Sequence, residues 1–299
     1  MRTTLQDLLK NNQPILADGA MGTMLFSLGL EQGACPELWN VEQPDKVRGV
    51  HRAYIEAGSQ IILTNSFGGT RLRLALHNLS DRAAELNKAA VHLACAEAAA
   101  AEQPVVVAGS IGPSGEILLP YGTMEFEDAR AAFEEQAAAL AEGGVDVFWI
   151  ETMSDLEEVR AAVEACRKAA PDVPLVTTMT FDTRGRTMMG DQSEQAWPTP
   201  SGYGPLALGG NCGNGPGEIE AVIDKMRALS AETVLVAKAN AGIPRLEKGV
   251  LFYDGTPEVM AGYALKVRGL GANIIGGCCG NTPDHIRAMA DALKETTQA

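Results

Sequence analysis

Positive charge is in short supply in this chain of 299 residues: 24 Lys and Arg face 38 Asp and Glu, leaving a formal net charge of −14. Such a surface repels phosphate backbones and anionic lipid, which argues against nucleic acid or a membrane surface as a partner. Long apolar runs are missing too. The stretches 104–109 and 145–150 fall far short of the roughly 20 residues that span a bilayer, and 1–10 has no signal-peptide core. The expected location is therefore the cytoplasm. Aromatic residues number only fifteen, and the four histidines (His51, His77, His92 and His285) all fall on or near helical stretches, where they read as surface or packing residues.

What is present is an ordinary globular composition, 46% hydrophobic and 21% charged. Six cysteines stand at 35, 95, 166, 212, 278 and 279. In a chain of this length without a secretion signal they read as buried thiols or metal ligands rather than as a disulfide framework.

Short β-rich runs alternate with Ala-rich amphipathic stretches along the whole sequence. The runs predict strands at 14–17, 60–63, 105–108, 146–150, 175–178, 205–210, 233–237 and 272–276. Helices are predicted at 44–57, 81–102, 126–142, 155–169, 217–229, 257–270 and 283–294. Thr256-Pro257 and Thr282-Pro283 place a capping residue before a proline at the first helical position, and Gly143-Gly144 follows a helix. The stretch 192–204 leaves room only for a short helix. Strand-helix units repeating eight times with no composition break point to a single (β/α)8 TIM barrel occupying 1–299, with an open doubly wound sheet as the alternative.

Barrels build their sites at the carboxyl ends of the strands, and those ends are chemically dense here. They deliver Asp18-Gly19-Ala20, Thr64-Asn65-Ser66-Phe67, Glu151-Thr152, Asn211-Cys212-Gly213, Asn240-Ala241-Gly242 and Gly277-Cys278-Cys279-Gly280. Strands six and eight, with one neighbour between them, bring Cys212, Cys278 and Cys279 toward one point. Adjacent residues of a strand face opposite ways, so Cys278 and Cys279 can share an ion only where the chain leaves extended geometry, which Gly276, Gly277 and Gly280 would permit. Three soft thiolates with no fourth cysteine or histidine suit a zinc ion with one open position. Buried apolar thiols, or a strained redox pair at Cys278-Cys279, are the competing readings. Cys35, Cys95 and Cys166 read as buried thiols. The glycines of 109–115 lack the lysine of a phosphate loop.

These motifs, together with Gly210-Asn211-Cys212-Gly213 and Gly276-Gly277-Cys278-Cys279-Gly280 followed by Thr282-Pro283, closely resemble the homocysteine S-methyltransferase family over nearly the whole chain. The resemblance implies a (β/α)8 barrel in which Cys212, Cys278 and Cys279 hold a catalytic Zn2+ and the sulfur of homocysteine takes the open position. It implies that Asp18 and Glu151 receive the substrate ammonium, while the Gly19 and Ala20 backbone and Thr64 hold its carboxylate. The product would be methionine.

The methyl donor is expected to be betaine, since the chain looks most like bacterial betaine-homocysteine methyltransferases around Glu151-Thr152-Met153-Ser154 and Thr187-Met188-Met189-Gly190. Gly68 departs from the animal enzymes, which carry an aromatic there. Trp39, Phe67, Tyr121, Phe181, Trp197 and Tyr203 are the candidates for an aromatic cage around a quaternary ammonium. A second reading, suggested by likeness to the homocysteine module of cobalamin-dependent methionine synthase, takes the methyl from a separate methylcorrinoid protein. A zinc- or homocysteine-binding protein without turnover is a third. The sequence sets no oligomeric state.

Overall fold

The computed structural model describes residues 1–182, 184–193, 204–247 and 250–295. Eight strands form one parallel sheet: β1 (Ile15–Leu16), β2 (Ile61–Leu63), β3 (Val106–Ile111), β4 (Val147–Met153), β5 (Leu175–Met179), β6 (Ala207–Cys212), β7 (Leu235–Ala239) and β10 (Ile274–Gly277). Between β7 and β10 lies an antiparallel hairpin, β8 (Arg245–Glu247) with β9 (Val250–Phe252). Each barrel strand pairs with its neighbours in chain order, and β1 pairs β10 through Ile15 with Ile274. A bridge between Ala17 and Ile61, with Gln60 N–H donating to Leu16 at 2.7 Å, joins β1 to β2 and closes the barrel. Closure excludes the open doubly wound alternative. All eight expected strands are found, with most of their carboxyl ends reaching one to three residues further than expected.

The helices are α1 (Leu5–Leu9), α2 (Met21–Ser27), α3 (Trp39–Glu42), α4 (Pro44–Glu56), α5 (Arg71–Ala75), α6 (Ala83–Ala100), α7 (Phe126–Gly143), α8 (Leu156–Ala169), α9 (Pro216–Leu229), α10 (Pro257–Gly269) and α11 (Pro283–Glu295). The seven long ones match the expected stretches, and α1, α2, α3 and α5 are additions of one or two turns. Their ends form as the sequence indicates. Gly144 closes α7 in a left-handed conformation, and the Thr256 hydroxyl accepts the Val259 N–H at the start of α10. The connection expected in 192–204 lies largely outside the described residues. Among those residues no helix is long and apolar enough to cross a membrane.

Two apolar layers result. Alternate strand residues, among them Ile15, Leu63, Val106, Val147, Trp149, Val176 and Val236, fill the barrel, and Leu5 and Leu8 of α1 plug its floor. The opposite faces pack under the helices. His51 is wholly buried on α4 and His92 is exposed, so both sit where packing and surface roles put them.

Candidate active site

Above the apolar filling, the next inward residues of each strand are polar. Glu151 stands two residues beyond Trp149, and Lys238 two beyond Val236, each one layer nearer the mouth. They line a cavity of about 400 Å³ together with Asp18, Gly19, Ala20, Thr64, Ser110, Thr152, Cys212, Cys278 and Cys279. The residues expected to hold the metal and homocysteine therefore all line one cavity.

Three cysteines occupy one corner. Their sulfurs lie within 4.8 Å of one another, with Cys212 and Cys279 at 4.0 Å, a group that could hold a metal ion. Thiolates around a tetrahedral zinc ion, at about 2.3 Å each, stand roughly 4 Å apart, so the spacing fits. Local backbone makes the convergence possible. Cys212 has φ +66°, a left-handed conformation uncommon in a non-glycine residue, which swings its side chain toward β10. After β10 the chain turns at once: Asn281 N–H bonds the Cys278 carbonyl, and Gly280 has φ +81°. Gly276 and Gly277 do not share that left-handed conformation; they provide room, since a Cβ would lie 3.0 Å from the Ala17 Cβ or 2.4 Å from the Asn281 side chain. The turn is made by Gly280 and Asn281. All six cysteines are free thiols.

Packed this closely, the thiols cannot titrate independently. Hydrogen bonds from Cys212 and Cys278, and a further one from the Tyr253 hydroxyl, hold the Cys279 sulfur far below the usual thiol range, at about 3. Cys212 is pushed far upward by its bonds to Cys278 and Cys279 and by burial. At Cys278 the bond from Cys212 is outweighed by Cys279 and burial, and the balance is upward to about 12. One thiolate forms readily, and a second and third need further positive charge.

The carboxylates occupy the opposite corner. Asp18 is 3% exposed, and its oxygens receive the Lys238 ammonium at 2.8 Å and the Leu63 N–H at 2.7 Å. Lys238 is itself 2% exposed and stands 5.6 Å above the Trp149 ring. Burial works against the Lys238 charge but is outweighed by Asp18 and Glu151, which keep it above its ordinary value; at Asp18 burial wins and the carboxyl lies above its own. Glu151 accepts the Ser110 hydroxyl at 2.5 Å, and burial lifts it to about 7. Ser110 is held in turn: its N–H donates to the Thr64 hydroxyl at 3.0 Å, Thr64 donates to Ser66, and Ser66 donates to the Ser110 carbonyl at 2.7 Å. The Thr64 hydroxyl is thus engaged on both sides, and the Ala20 N–H donates to the Asn281 carbonyl.

Asn211 joins the two corners. Its side chain exchanges two hydrogen bonds with Thr152, at 2.9 and 2.7 Å, and its amide approaches the Cys278 sulfur at 3.8 Å. Thr152 is held at φ +62°, where a β-branched residue is strained.

Four residues were not expected from the sequence. Lys238 is a single charge inside an apolar run, and that was its signal. Phe26 and Tyr253 line the cavity from α2 and from the segment after β9, as does the buried carboxylate of Glu37. Of the expected cage, Phe67 lines the cavity, whereas Trp39 is not among its lining residues and carries Lys46 over its ring, Phe181 is buried at 3% exposure and Tyr121 is exposed at 80%. Trp197 and Tyr203 lie outside the described residues.

The sequence model of a family described as Homocysteine S-methyltransferase matches residues 15–293. The chain belongs to the homocysteine S-methyltransferase family. It is 33% identical to the methionine synthase of Mycobacterium tuberculosis (strain ATCC 25618 / H37Rv), over 97% of this chain and 25% of that protein. The methionine synthase of Mycobacterium leprae (strain TN) is likewise 33% identical, over 93% of this chain and 24% of its own. The chain thus spans about a quarter of the length of these relatives. Among solved structures, the metallated form of the homocysteine methyltransferase MmuM from Escherichia coli superposes with a TM-score of 0.81 at 27% identity, covering 96% of this chain and 99% of that one. Its oxidized form gives the same score and identity.

Proposed function

We propose that this protein transfers a methyl group to homocysteine to form methionine, with Zn2+ held by Cys212, Cys278 and Cys279 and betaine as the methyl donor. The observation that carries the reading is the opening of a three-thiol corner and a carboxylate corner into one cavity, the two ends that an amino acid bearing a thiol requires. Zinc, when bound, supplies the positive charge that lets thiols ionise at neutral pH. The chain's own residues do the rest. Glu151 receives the substrate ammonium, with Asp18 at the same end of the cavity. Backbone N–H groups at Gly19 and the first turn of α2 receive the carboxylate. Thr64 acts on that end by fixing Ser110, and through it Glu151.

A quaternary ammonium donor is supported by the outer wall, where Phe26, Phe67 and Tyr253 offer aromatic surface and Glu37 a carboxylate. The lone pair of the ionised homocysteine sulfur forms the new S–C bond as the N–C bond of the donor breaks, its electron pair remaining on the nitrogen of the tertiary amine released. The thiol proton leaves to solvent. The reducing cytoplasm suits an enzyme that depends on free thiolates.

The likeness to methionine synthases favours one second reading, in which a separate methylcorrinoid protein is the donor. Methionine formation by reduced, zinc-loaded protein decides between them, with betaine, S-methylmethionine and a methylcorrinoid supplied in parallel. Turnover with betaine is expected. Turnover with methylcorrinoid alone would replace the donor assignment, and tight homocysteine binding without turnover on any donor would make this a binding protein.

A further inference from the structure

The carboxylate corner contains more charge than an amino-acid ammonium needs. Asp18, Glu151 and Lys238 are all buried against the same cavity, and Lys238 reaches Asp18 from a strand 220 residues away in sequence. A buried ion pair contributes little stability by itself, and apolar residues of similar volume commonly do as well. Its retention in the wall of a substrate cavity therefore calls for a functional account.

We infer that Lys238 divides the labour between the two acids: its ammonium compensates Asp18 permanently, leaving Glu151 as the single carboxylate that recognises the ammonium of the substrate. The geometry carries this. Both Asp18 oxygens have donors inside the protein, one from Lys238 and one from the Leu63 N–H, whereas Glu151 accepts only the neutral Ser110 hydroxyl among the described hydrogen bonds. With Lys238 in place the corner has one negative charge in excess, matched to one cation. Two uncompensated buried carboxylates would instead share a proton. The 2.8 Å bond to Asp18 sets where the Lys238 ammonium lies, with the Trp149 ring 5.6 Å away as a further favourable neighbour for the cation. Lys238 is on this account a positioning residue that sets the preference for substrates bearing an ammonium group.

The inference rests on the reading of the cavity as a homocysteine site, and the test separates the two. Calorimetric binding of L-homocysteine and of 4-mercaptobutyrate, the same thiol acid without the ammonium, is measured on zinc-loaded protein; the ratio of the two affinities isolates ammonium recognition from thiol binding. Glu151→Gln should lower that ratio at least about 10-fold, as expected for removing a charged hydrogen bond. Asp18→Asn should lower it similarly, because the released Lys238 turns to Glu151, and adding Lys238→Met to Asp18→Asn should restore most of the loss. A Glu151→Gln variant that keeps the ratio overturns the inference, as does an Asp18→Asn/Lys238→Met variant that stays as weak as Asp18→Asn, since Asp18 would then hold the ammonium itself. Should either variant fail to fold, the other still decides. Wild-type protein that binds neither thiol overturns the reading of the cavity and the inference with it.

Discussion

The two corners of the cavity are built by opposite strategies. The thiol corner is assembled from short-range geometry: two strand ends, a left-handed Cys212 and a tight turn at Gly280 bring three like side chains together. The carboxylate corner is assembled from long-range complementarity, with the acid that follows β1 paired to a lysine of β7 beside a second acid on β4. The first gathers groups that repel once ionised and needs outside charge; the second carries its own cation at Lys238 and keeps one carboxylate in excess. A corner of the first kind should therefore depend on an added metal ion for its ionised form, and one of the second kind should take shape without one.

The sharpest way to break this contrast is Cys278→Ala. Loss of one of three ligands should remove most of the bound zinc and lower methyl transfer by at least about 1,000-fold, while the barrel stays folded. Metal analysis and circular dichroism check the two halves, and full zinc content would remove Cys278 from the site. Second in size is an effect outside both corners. His51 is wholly buried, and burial holds it near 4, below the ordinary imidazole value of 6.5. The unfolded chain binds its proton first as pH falls, so stability present above 6.5 should be lost between 6.5 and about 4, by roughly 3 kcal/mol. Denaturant titrations across that range should show the loss in the wild type and its absence in His51→Leu; an unchanged acid limb in the variant would assign it elsewhere.

Asn211→Ala tests the bridge between the corners. Without its amide, Thr152 loses both bonds that hold it in a strained conformation, and unfolding should become easier by about 2 kcal/mol, with zinc affinity weakened about 10-fold through Cys278. Equal stability would mean that Thr152 holds its conformation unaided. The smallest effect belongs to pH within the carboxylate corner. Glu151, raised to about 7, is neutral below that value and ionised above it. The preference for homocysteine over 4-mercaptobutyrate should accordingly rise several-fold from pH 6 to pH 8. A flat ratio would show that Glu151 is ionised throughout.

The same contrast explains what could be read in the sequence. The eight strands were legible because a parallel strand covered on both faces is a short β-rich run, and the long helices because their apolar faces repeat over several turns. Helices such as α1 and α5 are too short to establish a period, and the β8–β9 hairpin sits in a connection with no strong alternation. The cysteines could be found because adjacent thiols among glycines at a strand end are conspicuous. Lys238 could not be assigned, since a lone charge in the 233–237 strand and its extension has no local partner, and the acid that gives it meaning follows β1. Tyr253 and Phe26 belong to the same class: their place at the cavity depends on how distant segments return to the barrel mouth.

The burial of the Asp18–Lys238 pair has a consequence for ionic strength. Most of the side chains behind the net charge of −14 lie at the surface, where mobile ions within about 10 Å at 0.1 M salt attenuate their fields. Asp18 and Lys238, 3% and 2% exposed, lie beyond the reach of those ions. Salt should thus ease the approach of an anionic thiol acid while leaving the Asp18–Lys238 pair inside the cavity almost untouched.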